Sequence, residues 1–321
     1  MPLRDKVILV TGGTGSFGRR FVQLALSDYS PKKVIVFSRD ELKQFEMAQQ
    51  IKDDRVRFFI GDVRDPQRLA RAFQDVDIVI HAAALKQIPA AEYNPFEAIK
   101  TNVLGAQNVI NAALDRGVER VIALSTDKAA SPINLYGATK LCSDKLFVAG
   151  NAYSGGRGTR FSVVRYGNVV GSRGSVIPLF KQKRLEGRIP VTDPRMTRFW
   201  ITLEQGVRFV IACLDRMSGG ELFVPKIPSM RVVDLAEAVA PGCPMHTIGI
   251  RPGEKLHELM IGEDDARRGI DAGDYYALLP EFAWWSGDGV AGTPLPEGFM
   301  YRSDTNTQWL TVEDLRRMIE T

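Results

Sequence analysis

The sequence predicts an α/β protein, a doubly wound parallel sheet followed by a smaller, less regular C-terminal lobe. Three observations carry that prediction. A strand-like run, Lys6 to Thr11, leads straight into Gly12-Gly13-Thr14-Gly15-Ser16-Phe17-Gly18 and then an amphipathic stretch to about Leu26. Short apolar runs alternate with helix-length segments as far as Arg165, the pattern of right-handed crossovers feeding one parallel sheet. Beyond Arg165 the alternation breaks up. Residues 1–165 are therefore read as a Rossmann-like domain to which 199–225 return, and 166–198 with 226–321 as the lobe.

The glycines at 12, 15 and 18 have the spacing G-x-x-G-x-x-G. The first permits the turn, the second lets a ligand reach the backbone, and the third lets helix pack on strand. The helix start then offers unpaired N–H groups and a positive dipole end to a pyrophosphate. Gly12, Thr14, Gly15, Ser16, Phe17 and Gly18 are thus candidate dinucleotide contacts. The second strand, Lys33 to Phe37, ends in Ser38-Arg39-Asp40, and Lys43 follows Arg39 by one helical turn. About twenty residues past the last glycine, an acid would mark an unphosphorylated ribose. Two cations and a hydroxyl suit a 2′-phosphate, so the pattern favours NADP over NAD. Asp40 leaves a second use open, as the cap of the helix that follows.

Val56 to Ile60 is the third strand, and Gly61-Asp62-Val63 at its end offers Asp62 to an adenine amino group. Asp77 to His81 is the fourth; the small residues Ala82, Ala83 and Ala84 after it let a cofactor lie against the backbone. His81 itself reads as a satisfied, semi-buried histidine. Pro95 to about Arg116, carrying Asn102, reads as one long helix before the fifth strand, Arg120 to Leu124.

That strand opens onto the most informative stretch, Ser125-Thr126-Asp127-Lys128 and then Tyr136 and Lys140. Asn134 to Phe147 reads as a helix, and Tyr136 and Lys140 stand four residues apart on one face of it. An ammonium beside a phenol stabilises phenolate, which makes Tyr136 a candidate general base. Thr126, Asp127 and Lys128 leave the strand end, where doubly wound sheets keep their ligands. Phe161 to Arg165 is a sixth strand, Leu203 to Asp215 a helix and Glu221 to Val224 a strand. Gly262 to Phe299 shows no clear periodicity and is placed in the lobe.

Composition narrows the function classes. Of 321 residues, 45% are apolar and 25% charged, as in an ordinary soluble protein, and no stretch approaches a membrane span. The net charge of +4 is small and the basic residues are scattered, which argues against nucleic acid as a partner. Three separated cysteines and three histidines show neither a disulfide framework nor metal-ligand spacing. With no signal pattern at the N-terminus, the chain reads as cytoplasmic and metal-free.

The glycine fingerprint with Tyr136-x-x-x-Lys140 resembles the extended short-chain dehydrogenase/reductases. More narrowly, several blocks resemble the inverting UDP-N-acetylglucosamine 4,6-dehydratases of pseudaminic acid synthesis. They are Phe37 to Lys43, Ala84-Leu85-Lys86, Ser125 to Lys140, Arg165 to Gly174, Met196 to Trp200 and Arg251 to Lys255. The resemblance runs almost end to end and weakens between about Glu263 and Gly298.

The resemblance implies a sheet domain for NADP, with Ser125 also at the cofactor, and a lobe for UDP-N-acetylglucosamine. It gives Thr126, Asp127, Lys128, Tyr136 and Lys140 the catalysis: Tyr136 takes the 4-hydroxyl proton while hydride leaves C4, and Lys140 holds the ribose. Related nucleotide-hexose dehydratases carry Asp then Glu after the threonine. Asp127 then Lys128 matches the inverting subgroup, where the lysine is the C5 base and the aspartate manages the 6-hydroxyl. A lysine of ordinary pKa, about 10.4, is protonated at neutral pH. The base role therefore asks for desolvation or a neighbouring cation such as Lys140, while Asp127, if ionised and close, would push the other way. Lys86, Asn168, Arg173, Arg198, Arg251 and Glu254 are the implied substrate contacts, and a homo-oligomer, a hexamer, is the implied assembly. A nucleotide-sugar 4-epimerase would share Tyr136 and Lys140 without needing the Asp127–Lys128 pair, and a nucleotide-sensing regulator would share the fold alone.

Overall fold

The computed structural model describes residues 1–155, 158–171, 176–282, 285 and 289–320. Six apolar, β-branched runs become the parallel strands β1 (Val7–Thr11), β2 (Lys33–Ser38), β3 (Val56–Ile60), β4 (Ile78–His81), β5 (Arg120–Thr126) and β6 (Arg160–Tyr166). They lie in the order β3-β2-β1-β4-β5-β6. The order reverses between β1 and β4, and α/β sheets bind ligands in the crevice beyond the carboxyl ends at such a point. The register sets Phe37, Thr11, His81 and Ala123 side by side, so the residues after them leave the sheet along one rim.

Helices cover both faces, as crossover connections demand. Phe21 of helix Ser16–Asp28 and Leu214 of helix Leu203–Arg216 share one core with Ile8, Val10 and Ile122. Leu69, Val109 and Phe147 fill the other, against Leu9, Val79 and Val121.

The structure differs from the sequence reading in two places. The segment Pro95–Arg116 is not one regular helix: Pro95–Ile99 passes through a π-helical turn, Lys100–Leu104, into Gly105–Arg116. Within that turn Asn102 accepts from the Leu85 N–H at 2.8 Å and donates to its carbonyl at 2.9 Å. The second difference concerns the region 262–299. Leu222–Pro225 pairs parallel with β6, and Tyr275–Leu278, Gly269–Asp271 and Thr293–Pro294 continue antiparallel to a ten-stranded sheet. These strands therefore join the sheet edge and not the lobe, and at two to four residues they are too short to show a period.

The lobe holds small sheets, among them Asn168–Val169 with Thr197–Ile201 and Ser229–Arg231. Its own core includes Phe180, Trp200, Met230, Leu235 and Leu315. Among the described residues no helix is long and apolar enough to cross a membrane, and no cluster of His, Cys, Asp and Glu could hold a metal ion.

Candidate active site

A cleft of about 1080 Å³ runs along the carboxyl ends of the strands and on between sheet and lobe. Its sheet end is a cradle. Gly12 has φ +65°, and a Cβ there would stand 2.9 Å from the Ala82 carbonyl carbon, so only glycine is accommodated. Thr14, Gly15, Ser16 and Phe17 line the floor, and among the described residues no side chain caps the helix start at Gly15. Gly18 is not on the cleft: a Cβ there would meet the Gly13 Cα at 2.5 Å, so its smallness seats the helix. Ala82 likewise stands behind the lining, as the backbone against which Gly12 packs, while Ala83 faces the cleft.

Ser38, Arg39, Asp40, Lys43, Asp62 and Val63 gather at the far end of the cradle. The Thr14 and Ser38 hydroxyls are 2.8 Å apart. Asp40 caps helix Glu41–Gln50, accepting from the Lys43 N–H at 3.0 Å and pairing with its ammonium, so the alternative use left open for Asp40 is realised. Asp62 accepts from Arg64 at 2.8 Å and lies 3.7 Å from the exposed Arg39 guanidinium. Although burial works to raise it, these partners hold the Asp62 carboxyl below its ordinary pKa.

Lys86, Asn168, Arg198, Arg251 and Glu254 line the lobe end. Arg251 and Glu254 form a loose pair at 3.7 Å, and Arg173 lies outside the described residues. The Arg251–Glu258 segment is strapped to the start of helix Leu135–Tyr153. Asn134 Nδ2 donates to the Gly253 carbonyl at 2.8 Å while its Oδ1 caps the Gly137 N–H, and Lys255 Nζ reaches the Ala130 carbonyl at 2.6 Å.

Between the two ends lies the reactive group. Thr126, Lys128, Tyr136 and Lys140 face the cleft together with Ser125, and Asp127 sits fully buried just behind them. Thr126 Oγ1 donates to Asp127 Oδ1 at 2.9 Å, and Lys128 Nζ donates to the same oxygen at 3.0 Å. Lys140 is 3% exposed, and Asp144, which accepts from the Ser125 hydroxyl at 2.6 Å and pairs with Arg165 at 3.4 Å, supports its charge. A phenol and an ammonium one turn apart, at the strand ends of a glycine-cradled sheet, are the parts of a hydride-transfer site that moves an alcohol proton. An adjacent carboxylate and a second ammonium add an acid–base pair.

The sequence profile described as "Polysaccharide biosynthesis protein" matches residues 8–280. The chain belongs to that family, among the extended short-chain dehydrogenase/reductases. It is 55% identical over 98% of its length to the inverting UDP-N-acetylglucosamine 4,6-dehydratase of Campylobacter jejuni, 97% of which is covered. To the UDP-glucose 4-epimerase of Rickettsia canadensis it is 38% identical, over 99% of this chain and 96% of the other. In structure it matches Pen from Bacillus thuringiensis with a TM-score of 0.90, at 36% identity, covering 100% and 99% of the two chains. The dTDP-glucose 4,6-dehydratase DesIV from Streptomyces venezuelae, solved with NAD bound, matches with a TM-score of 0.69 at 26% identity, over 78% and 86%.

For this short-chain dehydrogenase/reductase two electrostatic expectations need correction. Burial pushes the Tyr136 phenol up to about 12, and the groups that pull it down are the Lys128 charge and a hydrogen bond with Thr126, not Lys140. Lys140 is itself held below its ordinary pKa by burial. Lys128 goes the other way from what a base needs. Burial opposes its charge, but Asp127 at 3.0 Å and Glu258 at 3.4 Å prevail and hold the ammonium above its ordinary pKa.

Glu258 is the residue that sequence reasoning missed. It is 2% exposed, lines the cleft, and its Oε1 lies within 3.6 Å of Arg198 Nε as well as near Lys128. The available signal was its place three residues beyond the Arg251–Lys255 block, four past Glu254. His81, by contrast, is structural: buried, 2.8 Å from the Thr11 hydroxyl, and pushed down to about 3 by burial and the Lys140 charge.

Proposed function

We propose that this protein is an inverting UDP-N-acetylglucosamine 4,6-dehydratase that uses NADP. Its product would be UDP-2-acetamido-2,6-dideoxy-β-L-arabino-hex-4-ulose, for pseudaminic acid or related surface-glycan synthesis. The observation that carries the reading is the Asp127–Lys128 pair at the end of β5, with Lys128 in one cleft with Tyr136 and Lys140 and Asp127 just behind it. The identity with the Campylobacter enzyme supports it.

The sheet domain would hold the dinucleotide, with Gly12 to Phe17 under the pyrophosphate, Asp62 at the adenine and Ser38, Arg39 and Lys43 at the 2′-phosphate. Bound there, the nicotinamide supplies a hydride acceptor for C4 and a donor for C6. The lobe would hold the sugar nucleotide. Arg251 suits the diphosphate because a guanidinium grips phosphate oxygens in a fork. Arg198 and Asn168 assist there, Glu254 accepts from the uridine ribose, and Lys86 lies by the sugar.

In the chemistry, Tyr136 takes the 4-hydroxyl proton as C4 is oxidised. The new ketone acidifies the C5 proton, which Lys128 removes while Asp127 protonates the departing 6-hydroxyl as water. A proton from solvent then reaches the opposite face of C5, and Lys128 gives up its own to solvent. Over one cycle Tyr136 gains a proton and Asp127 loses one, so a proton must pass between them. Thr126, hydrogen-bonded to both, is the path. Lys128 must first shed its proton, to solvent. The bound sugar covers it, and deeper burial strengthens the influence that already opposes its charge.

The test is incubation with UDP-N-acetylglucosamine in heavy water. A product lighter by one water, with deuterium at C5, supports the reading. A second reading, a 4-epimerase, rests on the Rickettsia relative and requires an isomer of unchanged mass. A cytoplasmic homo-oligomer, a hexamer, accords with the same resemblance, and sedimentation tests its size.

A further inference from the structure

Lys128 stands between two carboxylates from distant parts of the chain, and the mechanism uses only one of them. Glu258 immediately precedes the strand Leu259–Ile261 and is fixed before any ligand arrives. Its N–H donates to the Ser303 hydroxyl at 2.9 Å, and its carbonyl accepts from the Ser303 N–H at 2.9 Å. Ser303 is fully buried, and its hydroxyl lies 2.7 Å from that of Thr197. So clamped, Glu258 brings Oε1 to 3.4 Å from Lys128 Nζ, while its Oε2 is buried and has no hydrogen-bond partner among the described residues. A carboxylate oxygen left without donors is costly to bury, and the opposite charges of Lys128 and Arg198 are what offset that cost.

We propose that Glu258 is a positioning residue for Lys128: it holds the ammonium opposite Asp127 and so sets how readily the amine is released to take a proton. The inference rests on the reading of Lys128 as the C5 base. Among the described residues, the charged and titratable groups around that ammonium are Asp127 on its own turn, Glu258, Arg198 on Thr197–Ile201, Tyr136 on the following helix, Lys86 after β4 and Lys255. Of these, two carboxylates favour the charged form and three cations oppose it. Removing Glu258 leaves one carboxylate against Arg198, Lys86 and Lys255. The amine must then be released at lower pH, by a unit or more for an opposite charge at this range.

Two measurements on Glu258→Gln separate this inference from the reading beneath it. The first is the rate at which an amine-specific acylating reagent labels Lys128 at pH 8–9, followed by peptide mass spectrometry, with exposed Lys32 as internal standard. Only the free amine reacts, so labelling should rise about tenfold over the parent. A rise of less than threefold overturns the proposal. The second is the pH dependence of C5 hydrogen exchange with heavy water. Its acid limb should move down by about one unit, while a purely structural role would lower the rate at every pH without moving the limb. Lys128→Met runs beside it. Exchange that survives there removes the base assignment, whereas exchange lost there with an unmoved limb in Glu258→Gln removes only the role of Glu258. Labelling of buried Lys140 reports on folding. If Glu258→Gln exposes it, Glu258→Asp decides, because drawing the carboxylate back one methylene should give a shift of the same sign and smaller size.

Discussion

Arg39→Ala probes the reading of the ribose pocket, and its size follows from the structure. Of the two cations there, Lys43 is committed to Asp40, on the helix that Asp40 caps, whereas Arg39 is 54% exposed and lies 3.7 Å from Asp62. Turning Arg39 to a 2′-phosphate therefore gives up a surface ion pair worth about 0–1 kcal/mol. Asp62 is not stranded, because Arg64 still donates to it at 2.8 Å. A charged hydrogen bond contributes about 1.5–3 kcal/mol, and for so exposed a guanidinium the lower half of that range applies. The net loss on substitution should be about 1–2 kcal/mol, roughly five- to thirtyfold in NADP affinity. NAD affinity should stay within about twofold. The assay is titration calorimetry with both dinucleotides at 0.15 M and 1 M salt. Screening lengths of about 8 and 3 Å at those strengths mean the NADP penalty should shrink in the second. Equal losses for the two dinucleotides, or a penalty indifferent to salt, would refute the assignment of Arg39 to the phosphate.

Lys128→Met keeps the bulk of the stem and removes the amine; turnover should fall a hundred- to ten-thousandfold while bound reduced dinucleotide accumulates at 340 nm, and turnover within tenfold of the parent would contradict the base role. Arg251→Ala should raise the KM for the UDP-sugar with little change in kcat, since a diphosphate contact is made equally in ground and transition states; a kcat effect at unchanged KM would place Arg251 in the chemistry. His81 titrates near 3 when folded against about 6.5 unfolded. The unfolded chain thus binds the extra proton, and stability present above pH 6.5 is lost as pH falls toward 3, by up to about 1.4 kcal/mol per unit. Urea unfolding of His81→Asn, which can keep a hydrogen bond to Thr11, should show a flatter loss between pH 6 and 4 than the parent, and parallel curves would count against it.

The sheet was legible because its strands are short runs rich in apolar residues with a helix-length segment after each, and Lys33–Ser38, buried beyond its first residue, needs no partner to be recognised. The cradle and the Tyr136/Lys140 face were legible because both are local spacings. What escaped depends on residues far apart in sequence. Glu258 meets Lys128 only through strand Leu259–Ile261, which pairs with Tyr301–Arg302, and no spacing records a contact across 130 residues. The sign of the Lys128 shift escaped with it, since one visible carboxylate is not two. The edge strands Gly269–Asp271 and Thr293–Pro294 are defined by their neighbours alone.

Asn102 shows what the irregular turn at Lys100–Leu104 accomplishes. A side-chain amide carries the same donor and acceptor as a peptide group. By giving both to Leu85, Asn102 acts as one rung of a ladder beyond the place where β4 ends at His81. The floor under the cleft is thereby held by a borrowed strand whose backbone belongs to a helix. That rung exists because the helix carries about one residue too many, the usual origin of a π turn. Deleting a residue there would restore regular winding and turn Asn102 away by about 100°. Selection for the tidier helix would thus cost the floor its anchor, and a chain one residue shorter would be better wound and worse equipped.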